Sequence, residues 1–246
     1  MSPTIQVFNL GNRIVNNWLY KGPEGWVLID TGYDTGFDNC RKALEEQGLT
    51  FRDIRYVFLT HAHDDHAGFL GTLLQEAPNT QAVISPLSVE TLLRGQNSFD
   101  GGCSTLGAAA FCHFMKLLGR GKHLFPPLTE TDISRCLIVS ESNKSELEAM
   151  LGGKIITTPG HTVDSMSLLL PDGTLFCGDA AMNGFPSSRR VTIWVGDKEK
   201  FIDSWQTILA SDARIIYPGH GKPFPPEDLR KYCAAARKMK LYPLRP

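Results

Sequence analysis

The stretch Thr60-His61-Ala62-His63-Asp64-Asp65-His66-Ala67-Gly68 sets three histidines and an aspartate in the order H-x-H-x-D-H. Imidazole and carboxylate are the donors that borderline divalent ions such as zinc prefer. Ahead of it, Arg55-Tyr56-Val57-Phe58-Leu59 is short, apolar and rich in β-formers, which predicts a buried strand. The cluster then lies at a strand end, where His61 and His63 point the same way on extended backbone. That pair can grip one ion, while Asp65 and His66, past the bend, are free to reach another. With 7 histidines in 246 residues, chance yields the pattern in roughly 3 sequences of 10,000, so it reads as a metal site rather than a solvated loop.

Three later loops carry the same kinds of atoms. Thr158-Pro159-Gly160-His161-Thr162, Gly178-Asp179 and Pro218-Gly219-His220 each follow an apolar stretch. Any one of them alone reads as a cap or a surface residue. With the first cluster they put five of the 7 histidines in strand-end loops, each with glycine nearby to let backbone turn tightly beside an ion. His113 and His123 lie outside these loops and read as residues with no metal role.

The elements that must position these loops are legible in outline. Strands are expected around residues 5–20, with a turn at Gly11-Asn12, and over Trp26–Ile29, Ala82–Ser85, Cys136–Val139, Lys154–Thr158, Met166–Leu170, Leu175–Cys177 and Arg214–Tyr217. Helical spacing marks Phe37 to Leu44, His66 to Ala77, a helix opened by Pro86, Lys198 to Leu209, and Glu227 to Lys238. Asp53 to His61 and Asp212 to His220 are both eight residues apart, each after a strand and a helix. The two strand–helix–strand halves suggest a duplicated architecture with the site between them. Residues 95–128 break the rhythm: a Gly- and Ser-rich run, an apolar helix from Ala108 to Leu118, then Pro126-Pro127. This reads as an insertion whose helix either overhangs the site or packs into the core, with core packing favoured. No linker interrupts residues 1–246, which are expected to form one domain.

Composition narrows the classes. Hydrophobic residues at 42% and charged residues at 21% suit a globular protein with a sizeable core. A net charge of −1 without a basic run argues against a nucleic-acid groove. No apolar run approaches the roughly 20 residues of a membrane span, and Met1 to Leu10 shows no secretory pattern. Six cysteines without C-x-x-C spacing read as reduced thiols, so a cytoplasmic address is expected.

The ordered set H-x-H-x-D-H, Gly-His-Thr, Gly-Asp, Pro-Gly-His, running from Trp26 to His220, resembles the metallo-β-lactamase superfamily. The resemblance implies an α/β fold, an αβ/βα sandwich of two mixed sheets with helices outside and a two-metal site along one edge. It implies that His61, His63 and His161 hold one ion, that Asp65, His66 and His220 hold a second, and that Asp179 bridges both. Asp30, at its strand end, resembles the family carboxylate that steadies a ligand histidine. Two divalent ions, zinc first with iron or manganese open, would share a hydroxide that Asp65 orients for attack on a carbonyl or phosphoryl centre.

Departures from particular branches leave a hydrolase of small esters, thioesters or lactones. Oxygen-reducing members carry Glu where His63 stands; glyoxalase II has a long helical extension, against 26 residues after His220 here. Quorum-signal lactonases usually have Tyr where Met182 falls, and Val163-Asp164-Ser165 differs from the common pattern after Gly-His-Thr. A mononuclear iron sulfur dioxygenase, a phosphodiesterase and a non-enzymatic binder stay open. For the substrate, Met182, Asn183, Phe185, Arg189 and Arg190 are expected to contribute apolar surface, an amide and two cations for an anionic end. Phe111, Phe114 and Met115 of the insertion are expected opposite them as an apolar wall, and the insertion also offers a homodimer contact.

Overall fold

The computed structural model describes residues 5–244, so the outer limits of the expected 1–246 domain lie outside the described residues. In chain order the strands are β1 (Val7–Asn9), β2 (Trp18–Lys21), β3 (Trp26–Ile29), β4 (Ile54–Phe58), β5 (Gln81–Ile84), β6 (Gly102–Cys103), β7 (Leu137–Ile138), β8 (Lys154–Thr157), β9 (Met166–Leu169), β10 (Thr174–Gly178), β11 (Trp194–Val195) and β12 (Ile215–Pro218). The helices are α1 (Phe37–Glu45), α2 (Leu70–Glu76), α3 (Val89–Arg94), α4 (Leu106–Leu117), α5 (Glu130–Ser134), α6 (Lys144–Leu151), α7 (Lys198–Ala210) and α8 (Glu227–Arg237).

Side-chain alternation along the strands builds the layers. Val27 and Ile29 of β3 and Tyr56 and Phe58 of β4 enter one core, where they meet Leu168 of β9 and Phe176 of β10. That core lies between a six-stranded sheet, β1-β2-β3-β4-β5-β7, and a four-stranded sheet, β12-β10-β9-β8. The intervening Leu28 and Val57 face the other way and pack with Leu44 of α1 and Leu70, Leu73 and Leu74 of α2. On the far side, Leu169, Leu175 and Cys177 pack with Phe201, Trp205 and Ile208 of α7 and Leu229 of α8. Helix, sheet, sheet, helix is the four-layer αβ/βα order that the family resemblance implies. Both sheets mix parallel and antiparallel pairs.

The two halves are matched in three dimensions. β3 and β4 pair in parallel across α1, and β10 and β12 pair in parallel across α7. Asp30 and His61 follow the first two strands; Asp179 and His220 follow the second two. All four therefore gather along one edge of the sandwich.

Two expectations need correction. The helix expected from His66 starts only at Leu70, because the N–H groups of His66 and Ala67 both turn back to the His63 carbonyl. The insertion helix does not join the core. Of α4 only Ala108 is buried, and Leu106, Phe114 and Leu117 are 67%, 57% and 86% exposed. It is held from outside by β6, which pairs with β11, and by the Ser104 hydroxyl donating to the Thr192 carbonyl at 2.6 Å.

Candidate metal centre

His61, His63 and His161 converge from two loops. The Nε2 of His161 lies 3.2 Å from His61 Nε2 and 3.0 Å from His63 Nδ1. Asp65, His66 and His220 form a second group, with His220 Nε2 3.1 Å from Asp65 and His66 Nε2 3.7 Å from it. Asp179 stands between them. One of its oxygens is 3.7 Å from His66 Nε2; the other is 3.8 Å from His161 and 3.5 Å from His220. All seven residues expected as ligands are thus brought together, each from a strand-end loop.

Four of the five imidazoles are aimed by what the other nitrogen meets, while His63 Nε2 is buried without a partner. His66 Nδ1 donates to Asp30 at 2.8 Å, His161 Nδ1 to the Trp194 carbonyl at 2.8 Å, and His220 Nδ1 to the Ile14 carbonyl at 2.6 Å. Thr60 donates its hydroxyl to Asp30 and lies 3.0 Å from His61 Nδ1, so Asp30 reaches that ring through Thr60. Asp30 itself holds a left-handed backbone, φ 59°. Asp164, from the loop whose substrate side the sequence left open, accepts from the Ala62 N–H at 2.8 Å and the Ser88 hydroxyl at 2.7 Å and so fixes the H-x-H turn. Close approach explains Gly219: a Cβ there would meet His66 Cε1 at 2.5 Å and Asp179 Oδ1 at 2.8 Å.

Electrostatics agree with a cation site. Burial and the neighbouring histidines push His61 and His63 well below the usual histidine range, so both are neutral donors. Burial would lower His66 too, but Asp65, Asp30 and Asp179 outweigh it and raise it to about 9. His220 is raised to about 10, mainly by Asp179 and Asp65 against the pull of burial. Burial pulls Asp65 upward, yet His66 and His220 hold it well below the usual carboxylate range. His66 Nε2 and Asp179 Oδ1 are buried with no hydrogen-bond partner. Orphaned donors among anionic carboxylates fit divalent metal, which would satisfy both.

A Lactamase_B family model, described as the metallo-beta-lactamase superfamily, matches residues 10–220. The chain belongs to that superfamily. It is 30% identical to YobT of Bacillus subtilis over 91% of each chain, and 28% identical to a probable metallo-hydrolase of Methanocaldococcus jannaschii, over 84% of this chain and 87% of that one. Among solved structures, the HARLDQ-motif metallo-beta-lactamase of Cronobacter sakazakii aligns with a TM-score of 0.66 at 22% identity, covering 94% of this chain and 91% of that one. The chain is therefore a superfamily metallo-hydrolase with a His/Asp cluster able to bind metal. No helix among the described residues is long and apolar enough to cross a membrane.

The residues expected to meet substrate are placed unevenly. Arg190 is turned away: its Nε and Nη2 donate to Asp228 at 2.9 and 2.6 Å, and its guanidinium lies over the Phe224 ring. Asn183 spends its amide on Arg190 and on the Lys222 carbonyl, and Met182 is buried beside Thr192. Phe185 is 91% exposed, with its ring 6.4 Å from Phe111 of α4; Arg189 is exposed. Of the expected wall, Phe111 thus faces the loop, while Phe114 is exposed on α4.

Sequence reasoning missed Tyr33, just past Asp30-Thr31-Gly32, whose hydroxyl Asp65, burial, Asp64 and Asp179 push upward in pKa. Its place after a strand that ends in a site carboxylate was the available signal. His123, set aside as having no metal role, lies beside Asp64 of the metal loop.

Proposed function

We propose that the protein is a binuclear zinc hydrolase that cleaves a small ester, thioester or lactone. The observation that carries this reading is Asp179 standing between two three-residue donor groups, with one oxygen toward His66 and the other toward His161 and His220. When bound, two divalent cations would lower the pKa of a shared water toward neutrality and polarise the substrate oxygen. His61, His63 and His161 would hold one ion; Asp65, His66 and His220 the other; Asp179 would touch both. Asp65, kept anionic by His66 and His220 against the pull of burial, would accept a hydrogen bond from the attacking water and fix its approach. Thr192 steadies Asp179 by donating its hydroxyl at 3.3 Å. Phe185 and Phe111 would grip an apolar acyl or ring portion, leaving Arg189 for an anionic end. Six free cysteines suit a reducing compartment, the cytoplasm.

Metal analysis of purified protein, with a panel of p-nitrophenyl esters, acyl thioesters, lactones and phosphodiesters, tests this. Two zinc per chain and turnover of one of the first three classes is the expected result. Asp179→Ala should lose about one metal and at least 100-fold in hydrolysis. One iron per chain without hydrolysis, or turnover of phosphodiesters alone, overturns the proposal.

A further inference from the structure

The insertion brings a titratable side chain to the metal loop. His123 follows α4, and its Nδ1 lies 3.3 and 3.2 Å from the two carboxylate oxygens of Asp64. Asp64 sits between His63 and Asp65, and Asn97 fixes it twice: Oδ1 accepts the Asp64 N–H and Nδ2 donates to Asp64 Oδ1, each at 2.8 Å. The Asn97 N–H then donates to the His123 carbonyl at 3.1 Å. These three residues close a ring joining both ends of the insertion to the metal loop. His123 holds φ 45°, a left-handed backbone that costs a histidine about 1 kcal/mol or more and persists only where its surroundings enforce it.

The ring of His123 is oriented but not enclosed. Its side chain is 44% exposed, against 14% for Asp64. With Nδ1 committed to the carboxylate, Nε2 on the opposite edge is available to another molecule. The hydrogen bond to Asp64 raises the His123 pKa, opposed by burial and reinforced by the charges of Asp64, Asp65 and Cys112. His63 is near enough to feel the charge of His123 in return. A carboxylate at one nitrogen and an open N–H at the other is an arrangement that passes protons near neutral pH.

We infer that His123, oriented by Asp64, donates the proton that the leaving group takes up when substrate is cleaved at the metal centre. This rests on the hydrolase reading above. Water oxygen bonds to the acyl carbon and releases its proton to solvent. The bond from that carbon to the leaving oxygen or sulfur breaks with its electron pair, and that atom takes the proton from His123 Nε2. The neutral imidazole regains a proton from solvent.

The test is a set of esters with one acyl group and leaving groups from p-nitrophenol to simple alkanols. His123→Ala should lower kcat/KM for alkanol esters by roughly 100-fold or more, and leave p-nitrophenyl esters, whose phenolate departs unprotonated, within about threefold. His123→Gln should behave like His123→Ala, with two metals retained in both. Histidine NMR provides a readout apart from turnover: the His123 ring should titrate above the ordinary histidine value and fall in Asp64→Asn. Equal losses across all leaving groups, or metal loss in His123→Ala, would show that the ring only pins the insertion. If the unaltered protein shows no metal-dependent hydrolysis of any ester, both readings fail. Losses in His123→Ala that do not depend on the leaving group, in an enzyme that is otherwise active, sink this one alone.

Discussion

Asp30 supports both donor groups at once, and replacing it by asparagine exposes how. Its Oδ1 accepts the Thr60 N–H at 2.7 Å; its Oδ2 accepts from His66 Nδ1 and from the Thr60 hydroxyl, each at 2.8 Å. Asparagine keeps the shape but turns one of these acceptors into a donor. Placed at Oδ1, its NH2 confronts the Thr60 N–H. Placed at Oδ2, it confronts His66 Nδ1–H and drives the proton to Nε2, the atom that must stay bare for metal. Either choice leaves a buried donor unmatched, at a cost of about 1–3 kcal/mol. Loss of a carboxylate behind a ligand imidazole lowers metal affinity by roughly 10–100-fold, or about 1.4–2.8 kcal/mol, which agrees. The loss should fall on the Asp65–His66–His220 site, since His61 feels Asp30 only through the Thr60 hydroxyl. A competition titration against a chromophoric chelator resolves the two sites. Asp30→Asn binding two ions with unaltered affinity would refute the reasoning and make Asp30 a strand-end cap.

Gly219→Ala should expel the second ion and destabilise the fold by about 1–3 kcal/mol, since its Cβ falls within 2.5 Å of His66; metal content and thermal melting read both effects. In the metal-free protein His66 and His220 titrate near 9 and 10, so loading at pH 7 should release about two protons, measurable by calorimetry in buffers of different ionisation enthalpy. Both values lie above the unfolded histidine value of about 6.5. Their stabilisation of the metal-free fold is therefore full below that pH and lost as pH rises through about 9 to 10, which denaturation at several pH values checks. Arg190→Ala should cost about 1–2 kcal/mol of stability by breaking the Asp228 pair while sparing kcat/KM, whereas Arg189→Ala should raise KM for anionic substrates alone.

Periodicity made most strands and helices legible, the family resemblance supplied the sandwich, and periodicity failed where elements are short or where burial has more than one solution. β3, β4, β9 and β10 are largely buried on both faces because each face meets a core, and apolar runs such as Trp26–Ile29 are visible in a sequence. β6 and β11 have two residues each and carry no period at all. α6 passes unnoticed because only Leu147 and Leu151, one turn apart, are buried in it. α4 misleads for another reason. Its apolar composition states that burial would be favourable, but not whether a core, a substrate or another surface supplies it.

The donors were legible for a chemical reason, and their supports were not for a geometric one. A metal demands imidazole and carboxylate, which are rare enough that their spacing carries information. The carbonyls of Ile14 and Trp194 that aim His220 and His161 could come from any residue, so no residue type marks them. Arg190 fell to a partner 38 positions on, a pairing that depends on α8 packing beside the 182–190 loop. The ring of Asn97, Asp64 and His123 combines both difficulties. Asp64 fills a position that the H-x-H-x-D-H pattern leaves free, and its partners lie 33 and 59 residues away in the insertion. A pattern defined by its ligands ignores the residue between them, yet that residue is where an insertion can act on the site without displacing an ion. If His123 protonates the leaving group, then the metal-binding residues state what bond-breaking chemistry is available, and the insertion sets which leaving groups the site can expel.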